Sequence, residues 1–286
     1  MNKDDVLSMF FSRSYENQLN ERVLDDVDYV VDKYGVLNYV ANVIHVPYCD
    51  YLDFAVCHQN ACLIQPRNIT QSSSFAACES EMIDVFLSED NKGLDFVSIG
   101  RHFTKYIRSD NDQAYRKYGE NQVKTCEQLG LAFEYYKHWY LNCVGYIYMD
   151  LHVEDQRSLL ARNLLRDPLY AKMMSDIRQH DVDILEYMAC IKSNETKLRR
   201  YESVARLLAI CLVECEREGI LIHSVINNKT ELESTVKNEK KQKVKKKTDR
   251  SQFLPFSFLQ LDEEETSYGN GTMAAEDEYA PATNDD

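Results

Sequence analysis

The chain has 286 residues, with 33 Lys+Arg against 47 Asp+Glu and a formal net charge of −14. Apolar residues make up 44%, enough for a sizeable core. Five Pro and nine Gly favour a helix-rich protein over an all-β chain cut by many turns. No apolar run approaches the ~18–20 residues that span a bilayer, so no membrane association is expected.

The first residues, Met1–Asp5, lack the basic-then-apolar order of a secretory signal. Nine cysteines without a repeating framework read as reduced thiols, which points to the cytoplasm. The charge is uneven along the chain. Residues 1–100 carry 6 basic and 16 acidic side chains, net −10; residues 101–200 carry 16 and 14, net +2. Residues 201–250 carry 11 and 8, net +3, and residues 251–286 carry none and 9, net −9. Residues 101–250 are therefore the part that can approach a polyanion without strong repulsion.

In chain order, Leu19–Tyr34 is predicted to be a helix with Leu24, Val27, Val30, Val31 and Tyr34 as its stripe, closed by Gly35. Tyr51–Phe54 and Ala61–Ile64 look like strands, and Met82–Leu87 like a short helix or strand. Together they predict a small acidic α+β domain over 1–92. Its charge would repel DNA and suits a protein partner or a second copy of the chain. His45, Cys49, Cys57 and Cys62, with His58, are candidate zinc ligands at irregular spacing. The alternative is buried cysteine. No cofactor is expected.

Leu94–Phe103 has helical spacing, and Ser109–Asp112 is a polar break ending in a good N-cap. A helix over Gln113–Leu129 follows, closed by Gly130; Gly119 inside it could instead mark a turn. At 100° per residue, Ala114, Tyr115, Tyr118, Cys126 and Leu129 share one face, with Val123 at its border. Arg116, Lys117, Asn121, Lys124 and Gln128 lie on the other. These are side chains that read purine edges and phosphates from a major groove, and they also occur on ordinary solvated helices. Leu131–Phe133 and Tyr140–Leu141, separated by an aromatic and polar tip with Lys137 and His138, predict a β-hairpin wing. A leucine-rich helical pattern runs from Glu154 to Ile177. Pro168 restarts it behind Asp167 as a cap.

Leu129-Gly130-Leu131, Tyr140-Leu141 with Gly145, and Asp167-Pro168-Leu169-Tyr170 resemble a winged-helix module of bacterial restriction endonucleases and restriction-associated proteins. Thr196-Lys197-Leu198-Arg199-Arg200 stands where that family begins a second helical unit with a basic segment. In this chain Asn194 would cap a helix ending at Gly219, before a strand-like Ile220–Ile222. The resemblance covers about residues 94–222. The wing departs from the family in having no arginine cluster. It implies a non-catalytic double-stranded DNA-binding protein or subunit in a restriction or phage-defence system. Lys117, Asn121, Lys124 and Gln128 would face the major groove, while Arg116, Lys197, Arg199 and Arg200 would hold phosphates; Lys137 is the wing's candidate DNA contact.

Two alternatives stand beside that reading. A divergent metal-dependent nuclease could use Asp90-Asn91-Lys92 with Asp84, Asp53 or Asp50, but no P-loop, HExxH or G-x-S-x-G pattern occurs and no catalytic residue is assigned. A winged helix that docks on a protein partner is the other. The last segment holds a basic run, Lys237–Arg250, and then Asp262–Glu265 in a Gly/Ala/Asn/Asp-rich end. It reads as disordered: a solvated linker, a phosphate-binding arm, or an arm held by its own acidic tail. The expected architecture is helix-rich α+β. An N-terminal domain over 1–92 precedes a winged helix over 93–178, a partial second helical or winged unit over 179–228, and a tail over 229–286.

Overall fold

A computed structural model describes residues 3–25, 28, 35–59, 63–69, 71 and 81–251. The protein is helix-rich α+β, with two small two-stranded sheets. Residues 1–237 form one compact unit and residues 238–286 a second.

The N-terminal part consists of α1 (Lys3–Phe11), α2 (Arg13–Val23), α3 (Val36–His45) and α4 (Tyr48–Gln59). No strand occurs among the described residues before Leu94, and Ala61 and Cys62 of the expected second strand lie outside the described residues. Tyr51–Phe54, expected as a strand, lies inside α4. Its buried positions, Tyr48, Tyr51, Leu52 and Ala55, follow the i, i+3, i+4, i+7 spacing of a helix face. Leu63 and Ile64 are neither helix nor strand. Of the helix predicted over 19–34, residues 19–23 fall in α2; Val27, Val30, Val31 and Tyr34 lie outside the described residues.

The next elements are α5 (Met82–Ser88), α6 (Phe96–His102), α7 (Asp112–Gln128), β1 (Ala132–Tyr135) and β2 (His138–Leu141). After them come α8 (Cys143–Asp150), α9 (Val153–Leu164) and α10 (Pro168–Ile177). Their starts are set by short polar side chains that take up otherwise unpaired backbone N–H groups. Asn111 accepts from Ala114 N at 2.8 Å, Asn142 from Gly145 N at 2.7 Å and Asp167 from Leu169 N at 2.9 Å. Pro168 occupies the first turn of α10, where its missing N–H costs nothing. The chain ends in β3 (Val182–Asp183), α11 (Ile184–Tyr187), α12 (Asn194–Arg217), β4 (Val225–Ile226) and α13 (Lys229–Ser251). Ser193, not Asn194, caps α12, accepting from Thr196 N at 3.3 Å.

β3 and β4 pair in parallel, Val182 with Val225 and Asp183 with Ile226. A wing is an antiparallel hairpin, so the expected second wing is not formed among the described residues, and Ile220–Ile222 is not a strand. Residues 229–251, expected within a disordered tail, are helical. Leu232 and Val236 are buried, and Lys229 ion-pairs with Glu202. The expected disorder of residues 252–286 falls outside the described residues.

Contacts cross the expected boundaries at 92/93 and 178/179. Arg162 is fully buried and sits where three segments meet. Its Nη2 donates to Val46 O at 2.6 Å and to Glu218 at 3.2 Å; its Nη1 donates to Glu214 at 2.6 Å. Glu218 also accepts from Tyr48 N at 2.7 Å, and Glu214 from Ser158 Oγ at 3.1 Å and from Arg217. A buried guanidinium is tolerable when its charge is matched in this way; both Nη groups are paired here, and Nε is buried without a partner among the described residues. The network therefore fixes the α3–α4 corner against α9 and α12.

Candidate nucleic-acid interface

α6 and α7 are clamped together by a pair of glycines. A Cβ on Gly119 would lie 2.1 Å from Phe96 O, and one on Gly100 would lie 2.0 Å from Tyr115 O. The two backbones touch at a distance no side chain permits, so Gly119 is a packing residue in a continuous helix and not a turn. The exposed Arg101–Asp112 pair, 2.9 Å, links the end of α6 to the start of α7.

α7 leaves through Leu129-Gly130-Leu131. Gly130 has φ +74°, and its neighbours are fully buried. Two buried asparagines hold this turn: Asn163 Nδ2 donates to Leu129 O at 2.7 Å and Asn142 Nδ2 to Gly130 O at 2.9 Å. β1 then pairs with β2 in antiparallel register, Ala132 with Leu141 through Tyr135 with His138. Leu94, just before α6, adds a third backbone to the hairpin: Leu94 N donates to Trp139 O at 3.1 Å and Trp139 N to Leu94 O at 2.9 Å. Asn91 extends this edge, exchanging hydrogen bonds of 2.8 and 3.1 Å with Leu141.

The hairpin is tighter than the sequence suggested. Tyr135, His138 and Trp139 belong to the strands, and the tip is Tyr136-Lys137 alone, with φ of 48° and 64°. Two positive φ values suit the twist of a two-residue hairpin, yet Asn-Gly or Asp-Gly usually supply them. A tyrosine and a lysine held there are strained, and Tyr136 is 81% exposed. Sequence reasoning missed Tyr136. The signal was a hairpin tip with no Gly or Asn in it.

The structure sorts the predicted DNA contacts into three groups. Arg116, Lys117, Lys124 and Lys137 are exposed, and Asn121 is half-buried at the edge of the same stripe of α7. Arg116 and Lys117 make no hydrogen bond or ion pair with other described residues. Lys124 is committed in part. It lies 4.5 Å above the ring of the buried Trp139 and 3.6 Å from Glu127. Glu120 and Glu127 share the exposed stripe, so its cations are interleaved with acids.

Gln128 and Arg200 are used inside the fold. Gln128 Nε2 donates to Asn68 O at 3.1 Å and to Asp167 at 3.0 Å. Arg200 Nη1 donates to Pro66 O at 2.9 Å and Ile69 O at 3.0 Å. Both hold the 66–69 segment. Burial pushes the Asp167 carboxyl up to about 6, against the hydrogen bonds from Leu169 N, Gln128 and Asn68. Arg199 is exposed and donates to Thr196 Oγ1 at 3.2 Å, while Lys197 is half-buried.

The metal and nuclease candidates do not assemble among the described residues. No group of three or more His, Cys, Asp or Glu able to hold a metal occurs among the described residues. Cys49 and Cys57 are both on α4, about 12 Å apart along its axis at 1.5 Å per residue. His45 is exposed at the end of α3, and Cys62 lies outside the described residues. Burial pushes Cys143, Cys211 and Cys215 up to about 12, as suits inert core thiols. Asp90 and Lys92 stand in an exposed turn after α5, paired with each other at 2.9 Å, and not on a strand. Asp84 is exposed, Asp50 is half-buried, and Asp53 pairs with Arg178 at 2.5 Å.

Comparison with known proteins finds no matching family model, curated protein or solved structure. No helix among the described residues is long and apolar enough to cross a membrane.

Proposed function

We propose that residues 82–141 form a winged helix-turn-helix that binds double-stranded DNA, with α7 as its recognition helix. The observation that carries this reading is the Leu94–Trp139 bridge. It turns α5, Leu94, α6, α7, β1 and β2 into three helices with a three-backbone sheet, the order of a winged helix. In this reading Arg116 and Lys117 meet phosphates or base edges from α7, and Asn121 is placed to pair with an adenine edge. Tyr136 and Lys137 reach the flanking backbone from the wing tip. Arg199 and Lys197 are secondary phosphate contacts. Gln128 and Arg200 are left out, because the Gln128 amide and the Arg200 Nη1 are held by the 66–69 segment and Asp167.

A restriction or phage-defence setting rests on the resemblance of the Leu129–Leu131 and Asp167–Tyr170 segments. Chemistry on DNA would then come from another subunit. The second reading, docking of the same surface on a protein, is favoured by the acids Glu120 and Glu127 among the cations of α7. The two part in a fluorescence-anisotropy titration of the full chain with duplex DNA at low salt. The DNA reading expects Arg116→Ala/Lys117→Ala to weaken binding about tenfold or more. Equal binding by the variant leaves the protein-docking reading standing.

A further inference from the structure

An open cleft of about 360 Å³ lies beside α10 and α11 and shares no residue with the α7 surface. Lys172, Asp176 and His180 line it at a spacing of four residues. The first two are on α10, and His180 N donates to Asp176 O at 3.0 Å, so the helical repeat carries on past the end of the helix. Glu186 and Tyr187 of α11 and Ala189 just beyond it complete the lining, with Ile64 from the 63–69 segment.

The hydrogen bonds within the cleft decide what it can take. Its donors are already committed. Lys172 Nζ lies 3.0 Å from Asp176 Oδ2, and Tyr187 Oη donates to the same oxygen at 2.6 Å. Burial, and then that bond to the carboxylate, push the Tyr187 hydroxyl up, so it stays a donor. His180 Nδ1 lies 2.9 Å from Asp181 O. A carbonyl oxygen only accepts, so Nδ1 carries the proton, and a neutral His180 presents Nε2 as a lone pair. The Glu186 carboxylate is exposed and makes no hydrogen bond or ion pair with other described residues.

The groups left open are therefore acceptors, Glu186 and His180 Nε2. Lys172 balances Asp176, and Glu186 then gives the lining a net negative charge. Ile64, Ala189 and the ring of Tyr187 supply apolar surface, and the bond to Asp176 fixes that ring. An anion would meet a carboxylate and no free donor. The volume lies at the small end of the range for ligand pockets, ~300–1,000 Å³.

We propose that this cleft binds a small aliphatic ammonium ion, with its N–H groups donating to Glu186 and His180 Nε2 and its stem against Ile64, Ala189 and the Tyr187 ring. A cation beside a tyrosine ring also gains from the negative face of the ring. The site is independent of what the α7 surface binds.

The probe is 1,4-diaminobutane, titrated into the full chain by calorimetry at about pH 8. Salt of about 150 mM screens the diffuse negative charge of the chain beyond about 8 Å. One site per chain is expected, with a Kd of about 1 mM or tighter, which is within reach of so small a ligand. Glu186→Gln should weaken binding about tenfold, the scale of a hydrogen bond to a charged group. His180→Phe keeps a ring but loses the acceptor, and should weaken it about threefold or more. Both positions are exposed, so neither change disturbs the core. Glu216→Gln removes the same charge from the exposed side of α12 and should leave binding as it was. Butane-1,4-diol and succinate, of the same length without the cation, should not bind. The proposal is overturned by an absence of diamine binding, by equal affinity in Glu186→Gln, or by an equal loss in Glu216→Gln. Binding of the diol or of succinate as tight as that of the diamine would overturn it too.

Discussion

α7 and the basic end of α13 are both helices rich in cations, but their cations sit in opposite contexts. α7 buries one whole face: Gly119 against α6, and Gln122, Val123, Thr125, Cys126 and Leu129 inside. Its exposed stripe has Arg116, Lys117 and Lys124 interleaved with Glu120 and Glu127. Residues 237–250 hold eight Lys/Arg, two acids and a single aliphatic residue. A helix of the first kind is held in position and gains little from bulk electrostatics, so it can select. One of the second kind gains affinity from charge alone and selects nothing. Buried Arg162 shows a third use of a cation, purely internal.

The largest effect should come from that internal cation. Arg162→Met takes from Glu214 its buried guanidinium partner, leaving Ser158 and Arg217, and removing one member of such a buried pair typically costs about 3–5 kcal/mol. Urea denaturation should show it, and a loss below about 1 kcal/mol would mean that the network is not a keystone. Next comes the clamp beneath α7. Gly119→Ala drives a Cβ into Phe96 O, and overpacking of this kind costs about 1–3 kcal/mol. If α7 selects by position, DNA preference should fall with it.

Asp167 gives a smaller, pH-dependent effect. The folded chain holds its proton to about pH 6, above the ordinary value of 3.8. The folded state therefore binds more protons in that interval, and stability should decline as pH rises from about 4 to 6. Asp167→Asn keeps the cap for Leu169 N and should flatten that decline, as followed by melting temperature against pH. An equally steep decline in the variant would exclude Asp167 as its source. The smallest effect is expected at Lys237, Lys240, Lys241 and Lys243. Their replacement by glutamine should change stability by no more than about 0.5 kcal/mol, as for exposed residues generally.

What could be read from the sequence follows the reach of the signals. The α7 helix, the Asn111 break, the Gly130 exit and the Asp167-Pro168 start are all local, depending on residues within four positions of one another. They were legible for that reason. The internal bonds of Gln128 and Arg200 were not legible because their partners are 60 and 134 residues away. Polarity and helical face alone gave no sign that those amide and guanidinium groups were taken. Trp139 looked like a loop residue among Tyr136, Lys137 and His138, but pairing with Leu94 turns it into the core under Lys124. Tyr51–Phe54 was ambiguous in principle, since a short apolar run suits a buried strand or a buried helix equally.

The most direct measurement is selection of duplexes from a random library by the full chain and by Lys117→Ala/Asn121→Ala. These two positions leave the Lys124 contact to Trp139 intact. The unmodified chain should enrich a defined site, and the variant should lose preference at one or two of its base pairs, about 1–3 kcal/mol each. Enrichment of no site, or of the same site with the same preferences by both proteins, would contradict the claim that α7 reads DNA.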